Sequence, residues 1–369
     1  MNNKAHRLAW LDGCRALAAL LVICMHVTEI WIPFISADDA IGQGLRAMTH
    51  QFNLGTFGVY VFFLVSGFVI PFSVGGEGLA ACRTFLIRRF FRLMPMFWFS
   101  IPLGVVTTHW MWHKDFGWDA LLANVLLLPN LFDLPFAQGL YWSLQAEVTF
   151  YLLIAALLLV QGFARSSIVL PYLGVIAAGK LLEKSGLQAY HFYPVAMLVL
   201  EMLKIIFIGW LLQRLFSDRR LGKMDWLLLG YLLVQYFIKK PLNAWHFYQH
   251  GERWLDHLSV TLAIVVLLFF RSLDIRHSLL AYLGKISYSL YLLHPVIMYS
   301  ALYHVAVTPD SFLREWPLLW VLVGVLLLTV AASHLTWRFI ELPAQQWGKK
   351  LIASQPAPDA EARIQLVKQ

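Results

Sequence analysis

Charged residues make up only 14% of this 369-residue chain, and it carries three cysteines. So little charge excludes the soluble globular classes, in which Asp, Glu, Lys and Arg make up about 25% of residues. Cys14, Cys24 and Cys82 show no metal-ligand spacing, and two of them sit in the first apolar run. They read as small core-filling thiols, not as a disulfide framework or a zinc site. No internal repeat is visible, and no long Pro/Gly/Ser linker leads to an appended soluble domain. What the chain has is apolar length. It is 59% hydrophobic with mean hydropathy +0.65, and its apolar runs are repeatedly long enough to cross a hydrocarbon core. An all-α, polytopic membrane protein follows.

The apolar runs predict about ten spans, near residues 8–31, 56–74, 86–107, 141–162, 166–182, 194–216, 225–238, 257–272, 281–303 and 316–340. The first run is too long for a signal-peptide core and lacks a cleavage site, so it is expected to stay as a membrane helix. A shorter run around Leu121 to Leu128, ending at Pro129, reads as an interfacial or re-entrant piece of an external loop. Residues 1–343 are then a transmembrane domain and 344–369 a short polar tail. An even number of spans puts both termini on one side. That side collects 20 of the 29 Lys and Arg residues and the other side 8, with Lys204 left mid-span. The excess of positive charge makes the first side cytoplasmic. The net charge of +8 is accounted for by orientation in a lipid bilayer, and no nucleic-acid partner is expected.

Against this apolar background a few polar side chains stand out. Arg15 and His26 are eleven positions apart, almost a whole number of helical turns, so they share a face about 16 Å apart along the axis. Arg15 alone reads as a snorkelling anchor, and His26 alone as a packed core histidine. Together, after Asp12-Gly13, they place a cation near one membrane surface and a titratable base deep in the bilayer, which points to function. The segment Arg88-Arg-Phe-Phe-Arg92 is the densest cationic cluster. Arg89 and Arg92 share a face if the third helix has begun, and their forks suit phosphate oxygens. Anionic lipid headgroups are the alternative partner.

The fourth span opens with Ser143, Glu147 and Tyr151 at i, i+4, i+8, a polar stripe expected at about the depth of His26. A carboxylate there would orient the histidine as the third member of a triad does. A polar clasp between helices is the plainer alternative. The ninth span carries Tyr291 and His294, followed by Pro295, which weakens the local backbone ladder. Ser66-Gly67 in the second span permits close helix approach. The external pairs His109/His113 and His246/His250 have i, i+4 spacing but sit among interfacial aromatics, so no metal site is expected.

Taken in order, these segments resemble acyltransferase family 3, the integral-membrane acyltransferases that O-acylate bacterial surface sugars and some small molecules. The likeness runs through Leu11-Asp-Gly-Cys-Arg15 with His26, Phe62-Phe-Leu-Val-Ser-Gly-Phe68, Phe85-Leu-Ile-Arg-Arg-Phe-Phe-Arg92 and Trp142-Ser143 to Phe150-Tyr151. It continues in Ile286-Ser-Tyr-Ser-Leu-Tyr-Leu-Leu-His294 and Glu341-Leu-Pro343. The resemblance implies a bacterial cytoplasmic-membrane enzyme using cytosolic acetyl-CoA, or another short acyl-CoA, as co-substrate with no tightly bound cofactor. The acceptor it implies is a carbohydrate or glycolipid hydroxyl.

By that likeness Arg15 and His26 match an intramembrane basic-residue/His pair, and Arg89 with Arg92 an Arg-x-x-Arg motif. Glu147 and Tyr151 fall in a Trp-Ser…Glu…Phe-Tyr segment, and Glu341 matches an acidic position at the end of the last span. Arg15, Arg89 and Arg92 are thus expected to hold the donor, with His26, Glu147, Tyr151 and Ser143 catalytic. Asp12, Tyr291, His294 and Glu341 are expected to support them. Cys14 and Tyr60 depart from the family pattern, Tyr60 standing where many members carry Asp. The extracytoplasmic SGNH-type domain of some members is absent, so the chain is expected to act alone or with a separate partner. A transporter of glycolipid or small anions would also want intramembrane charge, but matching inverted repeats and interrupted helices are not found. A non-enzymatic export scaffold leaves the His26–Glu147 coincidence in depth unexplained.

Overall fold

A computed structural model describes residues 9–35, 39–74, 76–160, 168–190, 192–217, 221–242, 258–308 and 311–354. Among these residues all regular structure is helical. That is the solution hydrocarbon imposes, because a helix satisfies its backbone donors and acceptors within one segment. In chain order the helices are α1 (Ala9–Trp31), α2 (Ala40–Gln51), α3 (Leu54–Ser73), α4 (Gly78–Trp112) and α5 (Trp118–Val125). They continue with α6 (Tyr141–Leu159), α7 (Val169–Lys184), α8 (Phe192–Leu215), α9 (Lys223–Val234) and α10 (Ser259–Ser272). The last four are α11 (Ser278–Lys285), α12 (Ser287–Val307), α13 (Leu318–Thr336) and α14 (Leu342–Ala353).

Among the described residues, each apolar run expected to cross the membrane is mainly helical. Six helical segments are long and apolar enough to do so by themselves: α1, α3, α4, α6, α8, and α13 with its continuation to Ala353. The runs expected at 166–182, 225–238 and 257–272 form the shorter helices α7, α9 and α10. Three details differ from the sequence reading. The run at 281–303 is broken at Ile286 into α11 and α12. The loop after α1 holds the unforeseen helix α2, capped by Asp39, whose Oδ1 accepts from Ile41 N at 3.0 Å and Gly42 N at 2.9 Å. The third span is the apolar middle of a 35-residue helix, about 52 Å long and so well beyond the hydrocarbon thickness at both ends.

The most deeply packed helix is α3, inserted between α1 and α8. A Cβ on Gly67 would lie 1.9 Å from the Ile206 carbonyl oxygen, and one on Gly209 would lie 2.1 Å from that of Leu64. The two glycines let the backbones of α3 and α8 touch, as membrane helices do where small residues face each other. The expected close approach at Ser66-Gly67 is therefore present, and its partner is α8. Large apolar side chains on outer faces, such as Leu152 on α6 and Leu327 and Leu328 on α13, are exposed, as a lipid-facing surface requires.

Candidate active site

Helices α1, α3, α4, α6 and α12 enclose a cavity of about 100 Å³ whose lining includes Arg15, Arg89, Arg92, Glu147 and Tyr151. Its cations are held in three different ways. Arg15 Nη1 donates to Asp12 Oδ1 at 2.9 Å, one turn back on α1. Because α4 begins at Gly78, Arg89 and Arg92 lie on one helical face. Arg89 donates to Ser73 Oγ, its guanidinium lies 5.2 Å from the Tyr151 ring, and its buried Nε has no partner among the described residues. Arg92 Nη1 stands 3.8 Å from Glu341 Oε2.

Glu341 reaches inward because α13 ends in a π-helical turn, Trp337–Glu341. A π turn takes an extra residue, which re-aims the side chains that follow, and such turns gather at functional sites. Its carboxylate is 1% exposed and also accepts from Ser289 Oγ.

On α6 the i, i+4 spacing lets Tyr151 OH donate to Glu147 Oε1. Ser143, one turn nearer the start of α6, donates to the Leu140 carbonyl at 2.9 Å. With its one proton so engaged, Ser143 Oγ accepts the proton of Tyr291 OH at 2.8 Å.

His26 lies in an adjoining cavity of about 300 Å³ with Glu29, Asn53, Thr56, Trp142 and Tyr299. Val59 and Tyr291 line both cavities. The His26 ring faces that of His294 on α12, with centroids 5.4 Å apart and planes at 21°. His294 is fully buried, with Nδ1 2.8 Å from the Tyr291 carbonyl oxygen. A carbonyl only accepts, so Nδ1 carries the proton and Nε2 is a bare acceptor, without a partner among the described residues.

The expected pairing of His26 with Glu147 is corrected by this arrangement. Glu147 lies one turn past Ser143, on the arginine side of Tyr291, and its carboxylate is taken by Tyr151. Similar depth along antiparallel helices does not bring two side chains together unless their faces also meet. The residues beside His26 are instead His294 and, three positions on in α1, Glu29. Glu29 escaped the sequence reading although its i, i+3 spacing from His26 was visible. Ser73 and Ser289, which hold Arg89 and Glu341, carried no signal of their own.

His109 pairs with Asp115 at 2.9 Å, and among the described residues no group of three His, Cys, Asp or Glu side chains is placed to hold a metal. His246 and His250 lie outside the described residues.

With this geometry established, the family profile described as acyltransferase domain matches residues 8–338. The chain belongs to this acyltransferase family. Over 160 residues it is 30% identical to Acyltransferase MdmB of Streptomyces mycarofaciens, a match covering 41% of this chain and 39% of that protein. Over 378 aligned positions it is 25% identical to the putative peptidoglycan O-acetyltransferase YrhL of Bacillus subtilis, covering 92% of this chain and 55% of that protein. The chain thus spans well under two thirds of the length of either relative. No solved structure matches it. Its six helical segments long and apolar enough to cross a membrane suit a multi-pass member of this family.

Proposed function

We propose that this acyltransferase moves an acetyl group from cytosolic acetyl-CoA to a sugar hydroxyl of a surface polysaccharide or its lipid-linked precursor. It would work in the bacterial cytoplasmic membrane, with about ten spans and both termini cytoplasmic. The observation that carries the reading is the pair of adjoining cavities, one lined by Arg15, Arg89 and Arg92 and the next holding His26. Arginine forks match the phosphates of a nucleotide, and the Arg15–His26 separation suits a donor whose long arm runs inward from those phosphates. The His26 cavity mixes the aromatics Trp142 and Tyr299 with the polar Glu29, Asn53 and Thr56, as a hydroxylated ring requires. The O-acetyltransferase name of one relative agrees with this acceptor chemistry.

In the reaction His26 takes the proton of the acceptor hydroxyl, and the oxygen attacks the thioester carbonyl carbon. The C–S bond then breaks, the CoA thiolate leaves, and the proton held by His26 passes to it. Tyr151 keeps the Glu147 carboxylate hydrogen-bonded and so away from the guanidinium donors. Ser143 fixes Tyr291 at the boundary of the two cavities.

The test is release of free CoA from acetyl-CoA by purified protein in nanodiscs, read with a thiol reagent, for wild type and His26→Ala. Release that disappears in the variant while acetyl-CoA still binds is the expected result. Undiminished release by the variant would remove His26 as the base. No binding of acetyl-CoA by the wild type would remove the donor.

A further inference from the structure

Val59 on α3 and Tyr291 on α12 line both the arginine cavity and the His26 cavity, and so form the neck between them. Neither wall is free to retreat. One residue before Val59, a Cβ on Gly58 would stand 2.7 Å from the Ala18 carbonyl oxygen, so α3 rests directly on the backbone of α1. On its far side α3 is held against α8 through Gly67 and Gly209. Tyr291 is tied at its hydroxyl to Ser143 at 2.8 Å. Its ring also meets Phe62 edge-on, with centroids 5.9 Å apart and planes at 70°. A close-packed wall of this kind does not open to admit one more methylene without strain.

We infer that Val59 and Tyr291 set the length of the acyl group, admitting acetyl and rejecting chains of about four carbons or more. The inference rests on the acyl-CoA reading above. A donor gripped by the arginines presents its thioester to the neck from their side, while the acceptor hydroxyl waits beside His26. The acetyl methyl fits at the boundary. One further methylene is still taken up there, but a second displaces Val59 or Tyr291, or else runs on into the space the acceptor must occupy. One methylene in an apolar slot that cannot widen selects by about 10- to 200-fold.

The experiment is equilibrium competition on the full chain in nanodiscs, with labelled acetyl-CoA displaced by unlabelled acetyl-, propionyl- or butyryl-CoA. Wild type prefers acetyl- over butyryl-CoA by at least about tenfold, and Val59→Ala reduces that preference to about threefold or less. Val59→Ile, which narrows the neck, extends discrimination to propionyl-CoA. Arg89→Gln weakens all three donors together and leaves their ratio unchanged, which separates grip from selection. Equal affinity of wild type for acetyl- and butyryl-CoA overturns the inference, as does a preference untouched by both Val59 variants. If wild type binds no acyl-CoA at all, the donor reading itself has failed and the neck assignment falls with it.

Discussion

His294 donates its Nδ1 proton to the carbonyl of Tyr291 at 2.8 Å, the carbonyl that Pro295 leaves without a helical partner. An α-helix would pair that oxygen with the amide four residues on, which is position 295, and proline has no amide proton. One residue therefore opens a gap in the backbone ladder and its neighbour closes it with a side chain. The histidine is fixed as a single tautomer, its bare Nε2 buried on the His26 side of α12.

This coupling is measurable. His294→Phe strands a buried carbonyl and costs about 1–3 kcal/mol. Pro295→Ala restores the backbone amide, so the same His294→Phe change in that background costs about 1 kcal/mol less. Thermal unfolding of the two single variants and the double variant closes the cycle. Strict additivity would show that the carbonyl is satisfied in another way.

The Arg92–Glu341 pair predicts a different split. Glu341→Gln keeps an acceptor for Ser289 but removes the charge facing Arg92 across 3.8 Å. The Arg92 side chain is 30% exposed, so the loss is smaller than for a fully buried pair, about 1–2 kcal/mol. Arg92 is then no longer held in the cavity, and the apparent KM for acetyl-CoA rises several-fold, about threefold to tenfold, with kcat little changed. A fall in kcat at constant KM would place Glu341 in the chemistry instead.

What the sequence made legible follows from local periodicity. The i, i+3 spacing of Arg89 and Arg92 and the i, i+4 spacing of Glu147 and Tyr151 each fix a shared face once the segment is helical, and the structure keeps both. Among the described residues the apolar runs form helices, the conformation that satisfies the backbone within one segment. What stayed hidden depends on how one helix is rotated against another. His294 was visible as a mid-helix histidine, but nothing in its own segment says that it faces His26. Glu147 was placed by depth along its helix, and its rotation carried it to the arginines. Glu341 reaches Arg92 only through a π turn, a departure from regular helix that no apolar pattern announces.

Helix contact makes a sharp prediction at Gly67. Alanine there puts a Cβ 1.9 Å from the Ile206 carbonyl oxygen, and relief requires moving α3 away from α8. The expected loss is about 3 kcal/mol or more, seen as a collapsed monodisperse peak in detergent chromatography. Gly174→Ala on α7 is the control, since nothing lies within 4 Å of its added Cβ. That change should be neutral or gain up to about 1 kcal/mol from helix propensity. Similar behaviour of the two variants would mean that α3 and α8 do not touch as described.

Tyr151 separates Glu147, the one acidic side chain lining the arginine cavity among the described residues, from its cations. Its hydroxyl binds the Glu147 carboxylate while its ring lies 5.2 Å from the Arg89 guanidinium. Tyr151→Phe keeps the ring, and with it a cation–π contact worth about 0.5–2 kcal/mol, but releases the carboxylate. A freed Glu147 competes with incoming phosphates for the same guanidinium donors, so the apparent KM for acetyl-CoA rises about fivefold to tenfold at unchanged kcat. Adding Glu147→Gln to Tyr151→Phe removes the competing charge and returns KM to near the wild-type value. A steady-state comparison of the three proteins decides the matter. If the second substitution fails to rescue the first, the phenol serves the donor directly, and its bond to Glu147 is incidental to binding.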